Sequence, residues 1–305
     1  RPEWVLHTTG VIPALSAVIK ALTQPGDKVL IQTPVYNHFF TSIHNSGCQA
    51  AESPLVYRDN TYTIDFDDLE RKAADPAVKL MLLCNPHNPA GRVWTPAELH
   101  RIGELCLRHD VVVVADEIHC ELVMPGFRYT PFASLCEEFE RRSVTCTSPS
   151  KAFNLAGLQV ANIFAADAAL RARIGHSLQI NETGEIGPFA IEALIAAYDE
   201  GAEWLDALNE YLHGNYRFSR EYFDRNLPQY PVLPLEGTYL VWVDCRASGL
   251  TSDELETKLL EEAKLRINPG AIYGEAGRDF IRLNIACPRK LLAEGLDRLR
   301  KVLKR

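Results

Sequence analysis

The amino-acid sequence predicts an α/β protein, a three-layer sandwich with a mostly parallel sheet, followed by a smaller C-terminal α/β unit. Short runs of consecutive apolar residues, many of them β-branched, alternate with segments of helical periodicity. Such continuous runs are typical of strands buried on both faces, as in parallel sheets. The chain has 305 residues, of which 47% are hydrophobic and 24% charged, so it can bury a full core.

The N-terminal part is predicted to contain two clear helices and several buried strands. "GVIPALSAVIKALTQ" has helical spacing, with Pro13 in its first turn, where proline is tolerated. "TPAELHRIGELCLRHD" is a second helix, with Thr95 as its N-cap and Pro96 at its first position. The buried strands around it are "DKVLIQTP", "VKLMLLCNP", "VVVVADE" and "SVTCTSPS", and "QVANIFAAD" adds a further apolar run.

The character of the chain changes after Asn181. "GPFAIEALIAAYDEGAEWLDALNEYLHGNYRFSREYFDRNL" is an almost unbroken helical pattern, which predicts two helices with a break near Gly201. A strand "TYLVWVDC", a helix "SDELETKLLEEA", strands "LRINPG" and "DFIRLNIACP" and a terminal helix follow. We therefore expect a large domain over residues 1–200 and a small domain with a long connecting helix over residues 201–305.

Composition excludes several classes of partner. The net charge is −8 and the lysines and arginines are dispersed, which argues against a nucleic-acid partner. No apolar stretch approaches the roughly 18 residues that span a membrane. The eight cysteines are scattered without a CxxC pair, which favours reduced thiols of a cytoplasmic protein over disulfides or a metal site. Since the chain begins without methionine and runs at once into ordered-looking sequence, we expect upstream residues to be missing.

Polar side chains follow four of the predicted strands. They are Tyr36, Asn88, Asp116 and, after the last of these strands, Ser148 with Lys151. Ligands of open parallel sheets bind outside the carboxyl ends of the strands. Each residue alone has an ordinary structural explanation, but together, at strand ends and in this order, they predict a single crevice.

Lys151 indicates what this crevice binds, because no charged residue lies within eight positions on either side of it. Desolvation disfavours an ammonium group, and a neutral amine can form a Schiff base with an aldehyde. Pyridoxal phosphate offers an aldehyde, a ring nitrogen, a ring oxygen and a phosphate. Asp116 would hold the ring nitrogen protonated, Asn88 and His119 would donate to the ring oxygen, and Tyr36 would stack on the ring.

The phosphate requires donors of its own. A helix begins after Gly10, and the backbone N–H groups of Val11 and Ile12 at its start would hold the phosphate. The hydroxyl of Ser148 would add a further hydrogen bond.

Four motifs, "NPHNPAG", "ADEIH", "SPSKAFNLAGLQ" and "FIRLNIACPR", together resemble the fold-type I pyridoxal-phosphate enzymes of the class I/II aminotransferase group. Within that group the chain, over all 305 residues, resembles the cystathionine β-lyase-type C–S lyases. The resemblance implies that Lys151 is the Schiff-base lysine, Asp116 the partner of the ring nitrogen and Asn88 the donor to the ring oxygen. It also implies that Arg282 in "FIRLN" clamps the substrate α-carboxylate, with Asn88 beside it.

The sequence departs from the pattern of this group in three ways. Gln159 stands where many aminotransferases have an arginine on the phosphate, so phosphate binding is expected to rest on backbone and hydroxyl donors. His119 stands where many have a tyrosine. A helical arm with a tyrosine that reaches into the partner subunit's site has no counterpart here.

The resemblance implies α,β-elimination of cystathionine or a related cysteine S-conjugate to a thiol, pyruvate and ammonia. It implies a homodimer with its sites at the subunit interface. Two alternatives remain open: an aminotransferase on the same scaffold, in which the same lysine moves the proton to the cofactor, and a non-catalytic regulatory module that retains the fold to sense pyridoxal phosphate or an amino acid.

Overall fold

The computed structural model describes residues 1–304, and its largest element is a seven-stranded sheet with a separate two-stranded hairpin. In chain order these strands are β1 (Val5–Thr8), β2 (Lys28–Ile31), β3 (Gln49–Glu52), the hairpin strands β4 (Val56–Arg58) and β5 (Thr61–Thr63), β6 (Val78–Cys84), β7 (Val112–Asp116), β8 (Ser143–Thr147) and β9 (Ala161–Phe164). The large sheet has the order β1-β9-β8-β7-β6-β2-β3. Only β9 runs against the others, since it pairs antiparallel with both β8 and β1. The mostly parallel sheet is thus confirmed.

Helices cover both faces of this sheet. They are α1 (Val11–Leu22), α2 (Asn37–Asn45), α3 (Phe66–Ala73), α4 (Pro96–Arg108), α5 (Glu137–Arg141) and α6 (Ala168–Ile180). Successive residues of β6 point to opposite faces. Leu80 and Leu82 belong to the core that contains α1, α2 and α6, whereas Met81 and Leu83 belong to the core that contains α3 and α4. The three-layer arrangement follows from these two cores.

The start of α4 agrees with the prediction from sequence. Thr95 is the N-cap, and its hydroxyl accepts a hydrogen bond from the backbone N–H of Glu98 over 3.2 Å. The Glu98 carboxylate accepts in return from the backbone N–H of Thr95 over 2.8 Å. This capping box satisfies two amides that a helix start otherwise leaves without partners.

We expect Gly103→Ala, in the middle of α4, to destabilise the protein although alanine favours helices. Alanine at a helix interior gains about 1 kcal/mol over glycine. A Cβ at Gly103 would, however, lie 2.7 Å or less from three ring carbons of buried Phe139, and such overpacking costs about 1–3 kcal/mol. Phe139 stacks on Phe132 with an interplanar angle of 14°, so its ring has little room to move. Chemical denaturation measures the net loss.

Gly295→Ala provides the matched control, because its nearest neighbour would be Leu265 at an ordinary 3.9 Å. This variant should gain up to about 1 kcal/mol. Equal changes in the two variants would contradict the packing argument.

The C-terminal part forms a second, three-stranded sheet. It contains α7 (Pro188–Glu200), α8 (Ala202–Asn226), β10 (Leu240–Asp244), α9 (Ser252–Ala263), β11 (Asn268–Pro269), β12 (Phe280–Asn284) and α10 (Arg289–Leu303), with the sheet order β10-β12-β11. The predicted break between the two long helices occurs at Gly201.

The two parts of the chain share a core. Trp242, Tyr273 and Phe280 of the C-terminal part pack into the core that holds α3 and α4. The division into domains at residue 200 therefore stays a prediction. Among the described residues, no helix combines the length and the apolar character that crossing a membrane requires.

Candidate active site

A cavity of about 340 Å³ opens at the carboxyl ends of the parallel strands. Every site residue predicted from the sequence lines it: Val11, Ile12, Tyr36, Asn88, Asp116, His119, Ser148, Lys151 and Arg282. The strand ends bring the first eight together, and the second sheet contributes Arg282 from β12. The crevice that the strand-end pattern predicts is therefore present.

Asp116 is the last residue of β7 and is only 3% exposed. Its Oδ1 accepts one hydrogen bond, from the backbone N–H of Ile118 over 3.2 Å. Burial raises the pKa of Asp116 to about 7, although that hydrogen bond and the nearby charge of Lys151 both lower it. A buried carboxylate with so little compensation is costly unless a cation faces it.

Lys151 lies in the turn after β8 and is partly buried. Its Nζ has no carboxylate within 4.0 Å among residues 1–304. Lys151, Asp116 and His119 line the same pocket, and the charge of Lys151 lowers the pKa of both other residues. An amine without an ion-pair partner is available for covalent chemistry.

His119 is a neutral donor rather than a cation. It is 5% exposed, and burial, followed by the charges of Lys151 and Arg282, lowers its pKa to about 3. Its Nδ1 is buried without a hydrogen-bond partner, and its ring edge meets the ring of Tyr239 at a centroid distance of 5.9 Å. Tyr36 caps α2 and is half-buried, and burial, followed by the charge of Asp116, raises its pKa.

Within the part of the chain that the structure describes, Arg282 has no acidic partner, unlike a typical surface arginine of a strand. Its Nη1 donates to Asn88 Oδ1 over 3.0 Å and its Nη2 to Asn268 Oδ1 over 3.1 Å. The guanidinium lies over the ring of Tyr273 at 4.9 Å, and its Nε is buried without a partner. Burial lowers the pKa of Arg282. Because Asn88 Oδ1 accepts from Arg282, the amide NH₂ group of Asn88 points away from the guanidinium and remains a donor.

The end of the pocket predicted to hold phosphate agrees with the sequence only in part. The first turn of α1 has no side-chain cap, so the amides of Val11 and Ile12 are free to bind an anion. The Ser148 hydroxyl, however, donates to the carbonyl of Val160 over 2.6 Å, and its proton is thus not directed into the pocket. Gln159 reaches the pocket in a left-handed conformation, with φ of 53°.

The structure adds residues that sequence reasoning missed. Tyr239 and Asn284 line the pocket, and Asn268 and Tyr273 hold the Arg282 side chain. All four come from the C-terminal part, and of these only Asn284 lies in one of the four motifs quoted from the sequence. Asn284 stands two residues after Arg282 on the same strand, which the alternation of β-strand side chains could have indicated.

These residues fit pyridoxal phosphate. An uncompensated buried carboxylate, an unpartnered histidine nitrogen and a free helix N-terminus correspond to the protonated ring nitrogen, the ring oxygen and the phosphate. Arg282, which has no acidic partner among the described residues, is available to bind a carboxylate of the substrate.

Comparison with known proteins agrees with this geometry. The family model "Aminotransferase class I and II" matches residues 1–299. The cystathionine β-lyase PatB of Bacillus subtilis is 43% identical over 99% of this chain and 78% of its own length. Protein MalY of Escherichia coli is 35% identical over 96% of this chain and 75% of its own. The crystal structure of cystalysin from Treponema denticola, which contains pyridoxal 5'-phosphate, superposes with a TM-score of 0.98 at 36% identity, covering 100% of this chain and 77% of that one. The chain is a member of the class I and II aminotransferase family.

Proposed function

We propose that the protein is a pyridoxal-phosphate-dependent carbon–sulfur lyase that cleaves cystathionine or a related cysteine S-conjugate to a thiol, pyruvate and ammonia. One observation carries this proposal. A single pocket holds a lysine without an ion pair, a buried carboxylate without a cation and an arginine without an acid. The relative PatB, a cystathionine β-lyase, supports the lyase chemistry, and cystalysin, whose structure contains pyridoxal 5'-phosphate, supports the cofactor.

The groups of the chain have separate tasks. Lys151 Nζ would hold the cofactor through its aldehyde carbon, and the same amine would serve as the base that takes the proton from the substrate Cα. Bound pyridoxal phosphate supplies an electron-poor ring that stabilises negative charge at Cα. Asp116 would hold the proton on the ring nitrogen, and Asn88 and His119 would donate to the ring oxygen.

Arg282 orients the substrate for this proton transfer. Its fork would bind the two oxygens of the α-carboxylate, which places the Cα–H bond towards Lys151. The proton passes to Lys151, and the electron pair of the Cα–H bond becomes a Cα=Cβ double bond as the Cβ–S bond breaks, so that the sulfur departs as a thiolate with the electrons of the Cβ–S bond. Hydrolysis of the remaining three-carbon fragment gives pyruvate and ammonia.

The reaction can be tested by measuring pyruvate released from L-cystathionine in the absence of any keto acid. Elimination requires no amino acceptor, whereas transamination does. Pyruvate and thiol formed in equal amounts would support the lyase. Turnover that depends on an added keto acid would instead establish the aminotransferase alternative, and cofactor binding without either reaction would favour a regulatory module.

We expect Arg282→Lys to bind pyridoxal phosphate normally and to lose affinity for amino-acid substrates. An ammonium cannot reproduce two parallel hydrogen bonds to a carboxylate. Losing one partner of a buried charge pair costs on the order of 2–5 kcal/mol, so kcat/KM should fall by at least about thirtyfold. The measurement is kcat/KM on cystathionine beside a cofactor titration. Unchanged kcat/KM, or cofactor binding lost together with activity, would remove Arg282 from the substrate site.

The pattern of exposure supports a homodimer. The helix α7 exposes several large apolar side chains, which are Phe189 (77%), Ile191 (46%), Ile195 (46%) and Tyr198 (43%). They lie beside the turn that carries Lys151, since Tyr198 meets the ring of Phe153 at 5.7 Å. An exposed apolar surface of this kind is typical of an interface, and sedimentation equilibrium would measure the assembly.

All eight cysteines are free thiols, which supports a reducing, cytoplasmic location.

A further inference from the structure

Residues 236–239, here called the crossing segment, connect the C-terminal part to two loops at the mouth of the pocket. The first two amides of this segment donate to the carbonyl of Gly91, over 2.8 and 3.0 Å. The third donates to the carbonyl of Leu122 over 2.7 Å. The segment is therefore bonded both to the loop after β6 and to the loop after β7.

The packing of this segment leaves no room for a sideways shift. A Cβ added at Gly237 would lie 2.8 Å from Val93 Cγ2 and 3.0 Å from Pro86 Cβ. Gly91 has φ of +72°, and a Cβ there would lie 2.7 Å from Leu235 Cδ1. Two glycines thus allow the loop after β6 and the crossing segment to touch backbone against backbone.

A mostly buried ion pair joins the same two pieces. Glu236 Oε2 accepts from Arg92 Nε over 3.0 Å and from the backbone N–H of Val93 over 2.8 Å. The side chains of Arg92 and Glu236 are 11% and 14% exposed. Arg92 Nη2 also contacts Glu98 over 3.2 Å, the acid of the capping box of α4. The charged side chains of Glu98, Arg92 and Glu236 therefore connect the start of α4 to the crossing segment.

Each side of this contact carries one half of the substrate site. On one side, Asn88 precedes Gly91 by three residues. On the other, the crossing segment ends in Tyr239 and continues into β10, where Trp242 pairs with Arg282 of β12. The two halves meet in the 3.0 Å hydrogen bond between Arg282 and Asn88.

We propose that Arg92 and Glu236 are positioning residues, whose ion pair fixes Arg282 against Asn88 and so sets the affinity for the substrate α-carboxylate. This inference rests on the proposed function for the role of Arg282 and extends it to two residues outside the pocket. Neither residue lines the pocket, and neither is expected to contribute to cofactor binding.

The test uses the cofactor-loaded enzyme and L-alanine, an amino acid with an α-carboxylate and no leaving group on Cβ. Calorimetry gives the Kd for L-alanine, and absorbance titration gives the Kd for pyridoxal phosphate. We expect Glu236→Gln to raise the Kd for L-alanine at least about tenfold, which is the factor that corresponds to the loss of one hydrogen bond between Arg282 and the charged carboxylate. The Kd for pyridoxal phosphate should stay unchanged, because neither Arg92 nor Glu236 lines the pocket.

Asp244→Asn is the matched control. Asp244 is a 4% exposed carboxylate at the far end of β10, paired with Arg246 over 2.5 Å and outside the pocket. It should lower Tm and leave both Kd values unchanged, which separates positioning from general loss of stability. If Glu236→Gln does not fold, Arg92→Lys tests the same pair, because it keeps the charge and loses the fork.

An unchanged Kd for L-alanine in the folded variant, or an equal rise in Asp244→Asn, would overturn the inference. So would a parallel loss of cofactor affinity. Failure of the lyase reaction is seen separately, as absence of pyruvate from the wild type, whereas failure of this inference is seen only in the ratio of variant to wild-type Kd.

Discussion

Lys151→Ala should bind pyridoxal phosphate without the visible absorbance band of a lysine-bound cofactor and should lose nearly all turnover. Among the described residues 1–304 the pocket offers no second amine, because the only other cationic side chain of this range that lines it is Arg282. A guanidinium stays protonated and does not attack aldehydes. The proton on the substrate Cα would also lose its base, and removing a general base alone typically costs 10²–10⁴-fold.

Two further variants test whether Lys151 acts as a nucleophile or only through its positive charge, and whether the effect is specific to this lysine. Lys151→Arg keeps a cation near Asp116 and His119 but cannot bond the aldehyde, so it should behave as Lys151→Ala does. Lys79→Ala removes an exposed lysine whose Nζ contacts only the carbonyl of Pro76, and it should retain the band and the activity. Borohydride reduction followed by peptide mapping identifies the modified lysine. A label on any lysine other than Lys151 would contradict the assignment.

Much of the large sheet could be predicted because most of its strands correspond to runs of consecutive apolar residues in the sequence. Met81 and Leu83 face one core and Leu80 and Leu82 the other, so after the exposed Lys79 near its start no polar residue interrupts the pattern of β6. The elements that the sequence did not indicate lack such a signal. In β3 the first and last residues, Gln49 and Glu52, are exposed polar side chains, so the strand has no continuous apolar run. The hairpin strands β4 and β5 have only three residues each. Helix α6 buries few side chains and has no marked apolar stripe.

The site was predictable where one strand end supplied it and not where two parts of the chain meet. Asp116 and Lys151 stand at strand ends in recognisable motifs, and both reach the cavity. The neighbours of Arg282 are Asn88, 194 residues earlier, and Asn268 on the adjacent strand. No local pattern encodes contacts at such sequence separation, so the side chains that hold Arg282 became visible only in the structure.

Asp116 creates a pH dependence of stability whose sign follows from its burial. The native state holds the Asp116 proton until about pH 7, whereas an unfolded chain releases it near 3.8. Between these values the native state binds more protons than the unfolded state, so stability falls as pH rises and then levels off. A pKa of about 7 against 3.8 corresponds to about 4 kcal/mol at most.

The cofactor-free Asp116→Asn variant should therefore be more stable than the wild type at pH 8 and equal to it below about pH 4. Asp244→Asn should show the opposite sign. Burial alone would raise the pKa of Asp244, but hydrogen bonds from Arg246 and Tyr57 hold it below its ordinary value. Asp244 thus contributes stability that is present above the unfolded pKa and lost as pH falls. Denaturant titrations from pH 3 to pH 9 on both cofactor-free variants measure the two slopes.

The same substitution should reverse its effect once pyridoxal phosphate is bound. A protonated ring nitrogen supplies the cation that Asp116 lacks, and breaking such a buried pair costs about 3–5 kcal/mol. Asparagine cannot hold that proton, so turnover of Asp116→Asn should fall by about 10²–10⁴-fold while the fold persists. Cofactor should raise the Tm of the wild type more than that of the variant at pH 8, because only the wild type gains the ion pair. Near-normal turnover, or equal thermal shifts in the two proteins, would show that the ring nitrogen does not meet this carboxylate.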